Sequence, residues 1–175
     1  MKRSAHFVGL LLGIATLVIA TVSVGAGSAF AQEKAAAQPK IHASAVQVAM
    51  VQSDEIKLPI QFQLALYEYL IQEITKTGKF QHVYRDGDKD AASASDLVTL
   101  HSNVFGFKQG SEGKRQVTTV SGETQIKVHV TFTDKAGKTV LSQDTTGKVR
   151  FLGGNLRATF DYAKKVAQIC VNNFS

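Results

Sequence analysis

The chain of 175 residues has one cysteine, no tryptophan and two prolines. A lone Cys170 excludes an internal disulfide and any multi-cysteine zinc or iron–sulfur site. Beyond residue 31 no second long apolar run occurs, so the remainder holds no spanning helix. There is no Gly-x-Ser-x-Gly elbow, and Gly106, Gly110 and Gly113 match neither a phosphate loop nor a dinucleotide fingerprint. No internal repeat is visible. What is present is a 44% hydrophobic composition, enough to bury a core and to exclude wholesale disorder, with 20 Lys+Arg against 14 Asp+Glu.

The N-terminus has the three parts of an export signal. Lys2 and Arg3 form the charged end, Phe7 to Val24 is an almost unbroken apolar run, and small residues follow to Ala29-Phe30-Ala31. Ala29 and Ala31 fit the shallow pockets of a signal peptidase, which predicts a cut before Gln32. The rival reading is an uncleaved anchor, because the run is near spanning length. Cleavage removes Lys2 and Arg3 and lowers the formal net charge from +6 to +4 over the remaining 144 residues. That length fits one domain. A periplasmic or secreted bacterial protein is the expected outcome. Residues 1–31 are read as signal, 32–40 as a polar, alanine-rich tether, and 41–175 as a single α/β domain.

Along that domain the hydrophobic period alternates between strand and helix. Ile41 to Gln52 reads as a first strand, with Val46, Val48 and Met50 on one face. Pro59 to Thr77 reads as a helix with Ile60, Leu64, Tyr67, Leu70, Ile71 and Ile74 inward, joined by Phe62 and Leu66, and with Gly78 as C-cap. Phe80 to Tyr84 is a short second strand, parallel to the first through a right-handed crossover. Arg85 to Asp96 reads as a polar loop, Leu97 to Phe107 as the third strand, and Lys108 to Arg115 as a Gly-rich flexible connection. In the fourth strand Thr124, Ile126, Val128, Val130 and Phe132 alternate with Gln125, Lys127, His129, Thr131 and Thr133. A tight turn, Asp134 to Gly137, leads to a fifth strand, Thr139 to Leu152, with Leu141, Val149 and Phe151 inward. Asn155 caps a last helix whose stripe is Leu156, Phe160, Ala163, Ala167, Cys170 and Phe174. The order β-α-β-β-β-β-α predicts an α+β two-layer sandwich: one mixed sheet of about five strands, two helices on one face, the other face open and polar.

Four features align together: the Ala45-Val46-Gln47-Val48-Ala49-Met50-Val51 strand, the helix end Thr77-Gly78-Lys79-Phe80, the strand start Asp96-Leu97-Val98, and the Asp134-Lys135-Ala136-Gly137 hairpin. With Gly153-Gly154-Asn155 before the last helix, they resemble an exported bacterial family catalogued as domain of unknown function 4410, over about Ile41 to Phe174. The resemblance implies an envelope location. It implies no activity, so no functional residue is carried over. Many members of that family look like lipoproteins, but this chain lacks the lipid-bearing cysteine.

The candidate chemistry is sparse. Asp86, Asp88 and Asp90 fall at positions one, three and five of a calcium loop, but Ala91 and Leu97 stand where Gly and Glu are needed, so the acids read as a solvated loop. His101 and His129 lie on the polar faces of strands three and four. Symmetric pairing about Arg115 brings the rings opposite each other, without a carboxylate or thiol to complete a metal set. Cys170 falls on an apolar stripe and reads as a small, inert hydrophobe. Lys108, Lys114, Arg115, Lys127, Lys148 and Arg150 compose one basic surface on the open face and its adjoining loop. Export excludes nucleic acid as its natural partner and favours an envelope protein or anionic surface polymer. The resulting expectation is a non-enzymatic envelope module that binds through Lys127, His129, Lys148, Arg150, Lys114 and Arg115, with no cofactor. The alternative is a hydrolase or metal-dependent enzyme using the His101/His129 region. A convergent pocket with a carboxylate favours the enzyme, and a flat, evenly charged face favours the binder.

Overall fold

The computed structural model describes residues 39–118 and 121–175, so the expected export signal lies outside the described residues. The elements run β1 (Ala45–Val48), α1 (Ile60–Thr77), β2 (His82–Arg85), a 3-10 segment (Lys89–Ser93), β3 (Leu97–Lys108), α2 (Glu112–Val117), β4 (Thr124–Asp134), β5 (Thr139–Val149) and α3 (Arg157–Asn173). The strands form one mixed sheet in the order β2-β1-β3-β4-β5. β1 pairs in parallel with both β2 and β3, while β3, β4 and β5 form an antiparallel meander. This is the expected α+β sandwich. Among the described residues no helix is long and apolar enough to cross a membrane.

The alternating residues of β4 decide which face is dry. Ile126, Val128, Val130 and Phe132 are fully buried with Val46, Val48, Leu100 and Val104 beneath α1 and α3. β3 keeps its even residues inward until a bulge between Val104 and Gly106 reverses the parity. Phe107 then points into the core, its ring 4.8 Å from that of Phe62 on α1.

α1 closes at Gly78, whose φ of 61° is the left-handed C-cap that its sequence predicts. Its buried set is Phe62, Leu66, Tyr67, Leu70, Glu73 and Ile74, rotated from the expected stripe, so Ile60 and Leu64 face outward. α3 is rotated in the same way. Ala158, Tyr162, Ala163, Val166 and Cys170 are inward, while Leu156 is exposed. α3 also lies very close to the sheet. A Cβ placed on Gly147 of β5 would come within 2.1 Å of the Ala158 carbonyl and 2.6 Å of Tyr162 Cβ, so only glycine admits this contact.

Three loops depart from the sequence reading. β1 ends at Val48, and Met50 is exposed while Val51 is buried. The Arg85 to Asp96 loop contains the 3-10 segment, where Ala91 packs on Ala45 and Leu97 and covers one corner of the otherwise open face. β5 ends at Val149, three residues early, so Phe151 does not point inward and is 64% exposed. Gly153 lies at φ 122° and bends the chain toward α3.

Candidate functional site

The open face is built from cross-strand rows. His101 lies opposite Thr131, which lies opposite Ser142. Asn103 lies opposite His129, which lies opposite Asp144. Lys127 lies opposite Thr146, and Gln125 opposite Lys148. The two histidines therefore sit in adjacent rows and not opposite each other. His101 Nε2 lies 3.3 Å from Thr133 Oγ1 and takes no part in the contacts of His129. The described residues contain no group of three or more metal-ligating side chains.

His129 is held from both sides. Its Nδ1 lies 2.6 Å from Asp144 Oδ1 and its Nε2 lies 2.9 Å from Ser142 Oγ. The carboxylate beside His129 comes from β5, two residues beyond Ser142. Strand alternation places both on one face, and the register of β4 against β5 brings them to His129. That register is a tertiary property, and spacing within a single strand carries no signal for it. The group is solvent-facing, with side-chain exposures of 49% for His129 and 66% for Asp144.

The predicted basic surface is not continuous. Arg115 is 4% exposed and belongs to the interior. Its Nη1 donates to the Gly122 carbonyl at 2.5 Å and to Thr124 Oγ1 at 3.4 Å, and its Nη2 donates to the Gly153 carbonyl at 2.8 Å and to Asn155 Oδ1 at 2.9 Å. Four neutral acceptors hold this cation; Nε has no partner among the described residues. The supposed flexible connection folds instead into α2, and Ser111 accepts from Lys114 N–H as its N-cap. Asn155 is thus not the cap of α3. Its side chain binds Arg115 and Thr124, and its own N–H donates to Glu112 Oε1 at 3.0 Å. Lys148 and Arg150 converge on one carboxylate, Glu123. Lys127 and Lys114 are exposed, with no carboxylate within 4.0 Å among the described residues. The face is mixed in charge and rich in hydroxyl groups.

The acidic loop is structural too. Asp86 Oδ2 accepts from Met50 N–H at 3.0 Å, and Asp88 Oδ1 accepts from Asp90 N–H at 3.0 Å, capping the 3-10 segment. Cys170 is fully buried, and burial pushes its thiol up to about 12. The Tyr162 phenol is raised by the same desolvation, partly opposed by its 2.9 Å hydrogen bond with Ser102. A surface hollow of about 630 Å³ lies between Pro39–Ile41, Val140–Leu141 and the C-terminus of α3.

No family model matches the chain, and no curated protein matches it. Solved structures share the fold. A PelC dodecamer from Paraburkholderia phytofirmans superposes with a TM-score of 0.57 at 15% identity, covering 75% of this chain and 91% of that one. A leucine-to-methionine variant of the same dodecamer gives 0.54 at 16% identity, covering 75% and 90%. A Caulobacter crescentus chain described as a lipoprotein gives 0.42 at 17% identity, covering 73% and 87%. At these identities the likeness is one of fold.

Proposed function

We propose that this protein is an exported contact module that assembles with further copies of itself, through the end of the domain at which β1, β3 and β5 finish. The observation that carries the reading is where the exposed large apolar side chains fall. Among the described residues these are Met50, Ile60, Leu64, Phe105, Val117, Phe151, Leu152 and Leu156, between 38% and 87% exposed. Met50 follows β1; Ile60 and Leu64 occupy the first two turns of α1. Phe105 lies near the end of β3, Val117 in the β3–β4 connection, and the last three between β5 and α3. β1, β3 and β5 run in one direction, so all eight belong to the same end. Isolated apolar residues are ordinary on any surface, but their confinement to one end marks an interaction surface.

The described parts of the loops that carry the patch are tied to one another. Arg115 ties the β3–β4 connection to the β5–α3 connection, and Glu112 adds a second tie to Asn155. An interface ordered in advance loses little further entropy on association. The shared fold with PelC, whose structures are dodecamers, supports a second copy as the occupant. Export rests on the residues that precede Gln32. The open sheet face then remains available to a second partner, an envelope protein or anionic polymer, with Lys127 on the face and Lys114 on the adjoining α2 as cations without a carboxylate partner among the described residues. Sedimentation velocity of the exported protein over a range of micromolar concentrations tests the reading. A species several times the subunit mass is expected, and a single monomeric species throughout contradicts it.

A further inference from the structure

We propose that Asp144, His129 and Ser142 form a relay that makes Ser142 a nucleophile toward small carboxylic esters, an activity separate from assembly. The geometry has the two contacts that such chemistry needs among its three groups. In the Nδ1–H tautomer, Asp144 Oδ1 accepts from His129 at 2.6 Å and the Nε2 lone pair faces the Ser142 hydroxyl at 2.9 Å. The groups stand in the right order, carboxylate, imidazole, hydroxyl, and Ser142 Oγ also lies 3.5 Å from Thr131 Oγ1. All three project from paired strands, and rigid elements hold such a constellation better than loops do.

The edge position of β5 supplies two further requirements. Lys148 N–H donates to Asp161 of α3 and the Thr146 carbonyl accepts from Lys165, so the even-numbered residues of β5 turn their backbone groups away from β4. Ser142 belongs to the same set. Its own N–H therefore points off the free edge, where it is available to an oxyanion beside Oγ. The side-chain ties from α3 to the β5 backbone fall at Thr146 and Lys148, and the Ser142 and Asp144 side chains are exposed. The exposure of the side chains gives access without a pocket and limits the substrate to small activated esters.

The steps balance. Ser142 Oγ attacks the carbonyl carbon while its proton passes to His129 Nε2. The ester C–O bond then breaks, and the same proton leaves with the alkoxide as an alcohol. Water attacks the acyl-serine, gives its proton to His129, and releases the carboxylic acid as Oγ recovers a proton. His129 and Ser142 are the catalytic residues, and Asp144 is a positioning residue.

The test uses the full exported chain, diisopropyl fluorophosphate as the probe and p-nitrophenyl acetate as the ester. With the probe, the Oγ–P bond forms and fluoride leaves. Mass spectrometry is expected to find one adduct, mapped to Ser142, in the wild type and none in Ser142→Ala or His129→Gln. Asp144→Asn is expected to label at least tenfold more slowly, and its His129 ring ¹⁵N shifts should move away from the Nδ1–H tautomer, a change that mere packing does not produce. Unchanged melting temperatures of these surface variants separate chemistry from folding. An unlabelled wild type, an adduct on another residue, or ester hydrolysis by Ser142→Ala at the wild-type rate overturns the proposal. Loss of assembly with labelling intact bears only on the proposed function.

Discussion

Arg115 and Asn155 lie forty positions apart and meet at 2.9 Å, guanidinium Nη2 to side-chain oxygen, under the apolar end of the domain. Around this contact the β3–β4 connection, the start of β4 and the β5–α3 connection are bound to one cation. Replacing Arg115 with Leu removes the side-chain donor to the Gly122 and Gly153 carbonyls and leaves Asn155 Oδ1 with Thr124 alone. The expected cost is about 3 kcal/mol, at roughly 1 kcal/mol for each hydrogen bond lost. Lys cannot reproduce the two-pronged donation, so Arg115→Lys should recover little. Urea melts of the three proteins check this, and a loss below about 0.5 kcal/mol for Arg115→Leu contradicts the structural role.

β4 offers a sharper contrast between neighbours. Val128 is fully buried and Lys127 is exposed. Val128→Asp puts an unpaired carboxylate in the core at a cost of several kcal/mol, on the order of the stability of a whole small domain. Lys127→Asp should change stability by about 0.5 kcal/mol or less. Circular dichroism melts of the pair are expected to differ by far more than their experimental error, and equal midpoints contradict the assigned faces.

Gly147 provides a test with a single methyl group. In Gly147→Ala the new Cβ would lie 2.1 Å from the Ala158 carbonyl, which is backbone and cannot swing aside. Separation of α3 from β5 should cost about 1–3 kcal/mol, the range for overpacking a core. A melting temperature equal to that of the wild type contradicts the close approach of helix and sheet.

Cys170 couples burial to pH. Its thiol titrates at about 12 in the folded protein, against an unfolded value near 9. The folded state therefore retains a proton that the unfolded chain has lost, and stability falls as pH rises from about 9 toward 12. Tyr162 is raised as well and steepens the same limb. Cys170→Ala should flatten part of the decline in the pH dependence of the unfolding free energy. In native protein at pH 8 the thiol should resist iodoacetamide and react fully in urea. Rapid native alkylation contradicts both expectations.

The fold was legible where a local period matched a layered packing. The β4 alternation, Gly78 and the Asp134–Gly137 turn predict their structures because each acts over a few residues. The helix faces were harder to read. Ile60, Leu64 and Leu156 fit an apolar stripe by spacing alone, but sheet contact selects Phe62, Leu66, Tyr162 and Val166. Arg115 looked like surface charge because nothing local announces acceptors at Gly153 and Asn155. The Asp144 contact to His129 depends on a β4–β5 register that no single strand encodes. Phe151 continued the alternation of β5 in sequence, but the strand stops at Val149.

Self-assembly through the apolar end is tested most directly by light scattering on two charge-bearing variants of the protein. Phe151→Asp with Leu152→Asp alters the proposed interface at two exposed positions. Lys135→Asp alters the opposite end, in the β4–β5 turn. The double variant is expected to run at the subunit mass with an unchanged melting temperature, while the wild type and Lys135→Asp retain the higher mass. A double variant that keeps the wild-type mass contradicts the assignment of the interface.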